Sequence, residues 1–252
     1  MTVQNPFGGL KKDGLEKTQD RLGGGYILDT DAYDAQIKVA YAIVSANGAQ
    51  GVSLVADIDG KEYRETIYVT NRQGENFYLN QNDKSKKVPL PGYTTVDHIC
   101  LCTTEKSINE QVVEEKILNI YDYDQQKDVP KSVPVLVDLI GQTVTLGIVR
   151  QLENKSAKDG NGAYQPIAET REINVIDKVF HTPTKLTMTE AENGKSEGEF
   201  YGKWVERNQG KTQDRRKIKD GAAAGSGSPG RPTAGAPQAS ATPARTSLFG
   251  AK

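Results

Sequence analysis

The chain is 252 residues long, 36% hydrophobic, and balances 32 Lys and Arg against 33 Asp and Glu. That length admits one large domain or two small ones, and the modest apolar content excludes a chain packed from end to end. The charge is uneven: ten Lys and Arg against three acids from Lys203 onward leave residues 1–202 with 22 basic and 30 acidic side chains, a tail of +7 on a body of −8, which suits a polyanionic partner or self-docking.

Residues 1–24 are polar and Gly-rich and read as a flexible N-terminal arm. They contain no apolar stretch of the kind a secretory signal needs, and no run of about 18 apolar residues follows, so the expectation is a cytoplasmic protein (a host's cytoplasm if viral) with no membrane contact. Ordered sequence begins near Tyr26. Ala35, Ile37, Val39, Tyr41 and Ile43 alternate with polar or small residues, the period of a half-buried strand. Asn47-Gly48 marks a turn, and Val52, Leu54, Ala56 and Ile58 form the apolar face of a second strand. Asp59-Gly60 is a strong hairpin signal. The third strand, Lys61 to Thr70, sets Tyr63, Ile67 and Val69 against Arg64, Thr66 and Tyr68. A loop with Arg72, Phe77, Tyr78, Lys84, Lys86 and Lys87 leads to Pro89 and Pro91.

Tyr93 to Thr103 spaces Val96, Ile99 and Cys100 as a short helix does, and Cys100 and Cys102 read as buried thiols of a reducing compartment. Residues Val112 to Tyr121 fit a strand or a helix. Thr143 to Leu152 alternates again, and the stretch from Tyr164 to Val179 has strand character in its last half. At least five strands separated by turns favour a barrel or sandwich spanning residues 25–183. Thr187 and Glu190 have capping-box spacing, and EFYGKWVER reads as a short helix, so 184–220 forms a helical and basic extension that packs on the sheet through Phe200, Tyr201 and Trp204. Residues 221–252 are a Gly/Ala/Ser/Pro tether, disordered by composition. Lys17 to Arg21 (KTQDR) recurs at Lys211 to Arg215.

Catalytic motifs are missing. There is no phosphate-binding GxxxxGK[ST] loop, and two isolated histidines, His98 and His181, with a C-x-C make no zinc site. Asp29, Asp31 and Asp34, and the pair Asp122 and Asp124, could hold magnesium for phosphodiester cleavage, although turn aspartates are usually solvated. The chain reads as no enzyme, with no cofactor and no metal. What is present suits single strands: cations to follow phosphates and flat rings under bases. Arg64, Tyr68 and Arg72 follow one face of the third strand, with Lys38 on the polar face of the first. Phe77, Tyr78, Lys84, Lys86 and Lys87 extend that mixture into the loop, and Arg150 and Arg171 lie on later strands that a closed barrel would bring round.

The phrases RETIYVTNRQGENFY, GYTTVDHICLC, LIGQTVTLGIVRQ and EFYGKWVERNQGK, in that order, resemble single-stranded DNA-binding proteins of tailed bacteriophages over roughly residues 26–210. The resemblance implies a mainly β chain with an OB-fold-like barrel, short helical additions and a disordered C-terminal tail, and a role coating single-stranded DNA in phage replication, recombination or repair. Such proteins end in an acidic tail with an aromatic terminus, whereas this chain ends TSLFGAK. Ser247, Leu248 and Phe249 resemble peptides that dock on sliding clamps, with Arg245 where those carry Gln, so a clamp or polymerase is the expected protein partner. The alternatives are a duplex-coating or regulatory DNA-binding protein relying on Lys211 to Lys219, a metal-dependent nuclease, or a virion structural protein. Oligomeric state is not legible.

Overall fold

Alternating apolar and polar side chains build most strands of the described chain into one large sheet, antiparallel except at its short last strand. The computed structural model describes residues 26–122, 125–160 and 163–218. Strands β1 (Asp31–Val44), β2 (Gln50–Ile58) and β3 (Lys61–Tyr68) form a meander. Asp59 and Gly60 turn the second hairpin at φ 52° and 76°, the left-handed pair that a two-residue turn requires.

The apolar alternation of β1 does not stay on one face. A bulge between Ile37 and Val39 shifts the register, so Ala35, Ile37 and Ala40 face the core with Leu54 and Ala56. Val39, Tyr41 and Ile43 turn to the outer face, opposite Val55, Ser53 and Gly51. The expected five-residue apolar face is therefore split in two by one extra residue, Lys38.

After β3 a small hairpin of β4 (Phe77–Leu79) and β5 (Lys87–Pro89) stands apart from the main sheet as a flap. Helix α1 (Pro91–Thr104) starts on a proline, ends at left-handed Glu105, and buries Val96, Ile99, Cys100, Leu101 and Cys102 in the core. Both thiols are free, and burial pushes each up to about 12. Val112–Tyr121, ambiguous by periodicity, is strand: β6 (Val113–Asp122) forms a hairpin with β7 (Lys127–Leu136), which meets β1 only at Tyr41 opposite Val135.

The longest elements are β8 (Thr143–Lys158) and β9 (Tyr164–Phe180). The first half of β8 lies against Asp31 to Gln36 of β1, and β10 (Thr212–Asp214) continues that side in parallel beside Arg150 to Leu152. Val144, Leu146 and Ile148 of β8 enter the main core, while Val149 joins Phe180 and Trp204 in a second core on the opposite face. Helix α3 (Glu199–Asn208) covers that second core with Tyr201, Trp204 and Val205, whereas the short helix α2 (Met188–Glu192) sends Met188 into the main core, and Thr187 and Glu190 form its capping box. Trp204 lies on Gly147, where an added Cβ would stand 3.0 Å from the ring, and its Nε1 donates to Asp177 at 2.7 Å.

The sheet is open. Its outer strands, β3 and β9, are not paired with each other. One side chain spans the seam: the Glu65 carboxylate on β3 accepts the Ile176 N–H of β9 at 3.0 Å and the Tyr63 hydroxyl at 2.6 Å. Around it, β3, β9 and Tyr26–Leu28 enclose a cleft of about 500 Å³.

Candidate nucleic-acid interface

On the outer face of the meander, cross-strand rows run Gln36–Asp57–Glu62, Val39–Val55–Arg64, Tyr41–Ser53–Thr66 and Ile43–Gly51–Tyr68. The last row makes a platform. Gly51 has no side chain, so the Tyr68 ring lies across it, its Cδ1 only 3.1 Å from where a Cβ would be. Tyr68 stays 46% exposed. An exposed ring braced against a glycine suits the stacking of a base.

Arg64 stands two rows away, roughly 13 Å along the strand. It is exposed and bonds Glu62 at 2.6 Å, and Asp128 near the tip of β6–β7 is close enough for its charge to act on the guanidinium. Lys38, the bulge residue, bonds Asp57 at 2.8 Å on the same face. Both cations are thus held by carboxylates that a phosphate would have to displace or share. These pairs are exposed and weak, so exchange costs little.

The flap carries the second group. Lys87 Nζ sits 4.1 Å over the half-buried Phe77 ring, while Tyr78 is exposed. Lys86 pairs with Asp83 at 3.5 Å. Arg72 and Lys84 are exposed and have no ion-pair partner among the described residues. Tyr78 also lines a groove of about 760 Å³ between α1 and the flap on one side and β9, α2 and α3 on the other, with Phe200, Lys178 and Lys203 in its walls.

Arg150 and Arg171 are differently placed. Arg150 reaches Glu172 at 2.5 Å and Asp29 at 3.2 Å, and these neighbours hold its charge more firmly than usual. Arg171 pairs with Glu153 at 2.8 Å across the β8–β9 hairpin. Glu172 lines the same cleft as Arg64, so Arg150 reaches that cleft only through its carboxylate partner. The structure brings Lys38, Arg64 and Tyr68 to one face and Arg72, Phe77, Tyr78, Lys84, Lys86 and Lys87 to the segment that follows it.

Sequence reasoning missed Gly51 as the support for Tyr68. It also missed Tyr26 and Lys61 at the mouth of the β3–β9 cleft, where Lys61 Nζ sits 3.8 Å over the Tyr26 ring, and Phe200 and Lys178 in the larger groove. A glycine paired opposite an exposed aromatic was a readable signal once register was known. The others depend on chain segments distant in sequence.

The aspartates do not converge. Asp34 bonds Lys185 at 2.7 Å, Asp31 accepts Gln209 at 2.8 Å, and Asp29 goes to Arg150. Asp122 pairs with Lys131 at 2.9 Å, and Asp124 lies outside the described residues, as do Ser247, Leu248 and Phe249. Among the described residues no three His, Cys, Asp or Glu side chains form a metal-holding group, and no helix is long and apolar enough to cross a membrane.

Compared with protein-family models, curated proteins and solved structures, the chain matches none of them. The functional reading therefore rests on the residues themselves.

Proposed function

We propose that this chain is a single-stranded DNA-binding protein of the OB type, coating single strands in DNA replication, recombination or repair of the kind tailed phages carry out. The order β1–β2–β3–α1, followed by β8 beside β1 and β9 beside β8, is consistent with such a barrel, with β6–β7 inserted and the β3–β9 seam left open. OB folds take oligonucleotides on the face of their second and third strands. The observation that carries the reading is on that face: Tyr68 is exposed and packed against Gly51, with Arg64 along the same strand. In this reading bases stack on Tyr68 and Tyr78, and phosphates run past Arg64, Arg72 and the flap lysines. A clamp or polymerase recruited through Ser247, Leu248 and Phe249 belongs to the same proposal.

The test is titration of fluorescent oligo-dT and an equal-length duplex at two salt concentrations. The expected result is strong preference for oligo-dT, with log K falling against log[salt] by about 0.7 per phosphate neutralised. Tyr68→Ala should weaken oligo-dT binding by about 1–3 kcal/mol with an unchanged circular dichroism spectrum. Equal or tighter duplex binding would replace this reading with that of a duplex-coating protein. Cleavage in magnesium would replace it with a nuclease.

A further inference from the structure

The β6–β7 hairpin has two edges of opposite character. Val137 N–H donates to Val112 C=O at 3.0 Å, which sets the phase of the ladder. Counting along the register from that bond, Val113, Glu115, Ile117, Asn119 and Tyr121 direct their backbone groups away from β7. On β7 the outward residues are Asp128, Pro130, Ser132, Pro134 and Leu136. Two prolines thus remove donors from the β7 edge, a usual way of preventing strand addition. The β6 edge has no proline and, among the described residues, pairs with β7 alone. The side chains of its outward residues are all exposed, with Ile117 76% and Val113 53% accessible.

We propose that β6 is the docking edge for a second copy of this chain, pairing antiparallel with its own counterpart about a two-fold axis at Ile117. The β6 sequence supports that occupant. With Ile117 on the axis, Val113 faces Tyr121 of the other copy and Glu115 faces Asn119, so all five outward residues are used. Lys116 then faces Leu118, and Glu114 faces Ile120. No like charges stand opposite each other. Moving the axis to Lys116, Glu115 or Leu118 opposes two lysines, two Glu115 side chains, or Glu114 and Asp122, each of which is unfavourable. An axis at Asn119 leaves Val113 unpaired within the strand. A two-fold strand pairing is closed, so it produces a dimer and no open fibre.

Sedimentation of the full chain without DNA tests this. The wild type should be a dimer. Asn119→Glu sets Glu against Glu115 of the partner at two symmetric positions and should shift the protein to monomer with its circular dichroism unchanged. Adding Glu115→Lys to that variant should restore the dimer. Ile117→Cys should give a disulfide-linked dimer under mild oxidation, while Ser132→Cys on the blocked edge should not. A monomeric wild type at high concentration, a double variant that stays monomeric, or equal cross-linking at 117 and 132 would overturn the proposal. Should Asn119→Glu fail to fold, the cysteine pair decides.

Discussion

Glu65 shows how much one side chain can do at an open seam. It is a carboxylate largely shielded from water, and burial raises its proton affinity more than the Tyr63 and Ile176 donors lower it. The folded state therefore holds the Glu65 proton more tightly than the unfolded chain does. Its contribution to stability is full below the ordinary carboxylate value of 4.5 and is lost as pH rises through the raised folded value. Glu65→Gln keeps an oxygen acceptor for Ile176 and carries no ionisation penalty. Urea midpoints measured from pH 4 upward should fall less steeply for Glu65→Gln than for the wild type. An identical slope would mean that the group does not titrate differently on folding. At the same scale, the reading of the candidate cations from sequence was incomplete for a physical reason. Lys38, Arg150 and Arg171 are visibly basic and on strands, but Asp57, Glu172 and Glu153, which compete with phosphate for these cations, reach them across strands.

Among elements, helix α3 and strand β8 are joined through one contact of fixed shape. Gly147 leaves room for Trp204, and Phe180 packs edge-on to the indole with ring centroids 6.1 Å apart. Trp204→Ala should destabilise the protein by about 3–5 kcal/mol, read as a lowered urea midpoint. The elements also show what alternation can reveal. The β2–β3 hairpin was readable because Asp59-Gly60 and two clean alternations agree. The β1 bulge was not, since an inserted Lys38 leaves an apolar-polar rhythm that looks unbroken. The outer half of β9 was missed because it is exposed on both faces and has little apolar residue left to alternate. The Tyr68 platform was half legible: the exposed aromatic and its neighbouring arginine could be named, while its glycine support needed the register of two strands.

At the scale of the molecule, β8 belongs to everything. It pairs with β1, β9 and β10 and is buried on both faces from Val144 to Val149. Residues 184–218 are consequently part of the same cooperative unit as the sheet. Thermal unfolding followed by Trp204 fluorescence and by far-ultraviolet circular dichroism should give coincident curves; an earlier fluorescence transition would mean that the α3 layer melts on its own.

The length of β1 also gives the molecule a direction. At its start, Thr30 receives Gly210 N–H at 2.8 Å, and both ends of the described chain, Tyr26 and Ile218, leave beside the β8–β9 hairpin. At its other end, Tyr41 meets β7. These attachments lie roughly 33 Å apart along the strand. One pole thus carries the two ends of the described chain and the other the attachment of the β6–β7 hairpin. In the dimer proposed above, the two copies would meet through this hairpin, a bivalent geometry in which each copy's Tyr26 and Ile218 sit at the pole of β1 opposite the hairpin's attachment.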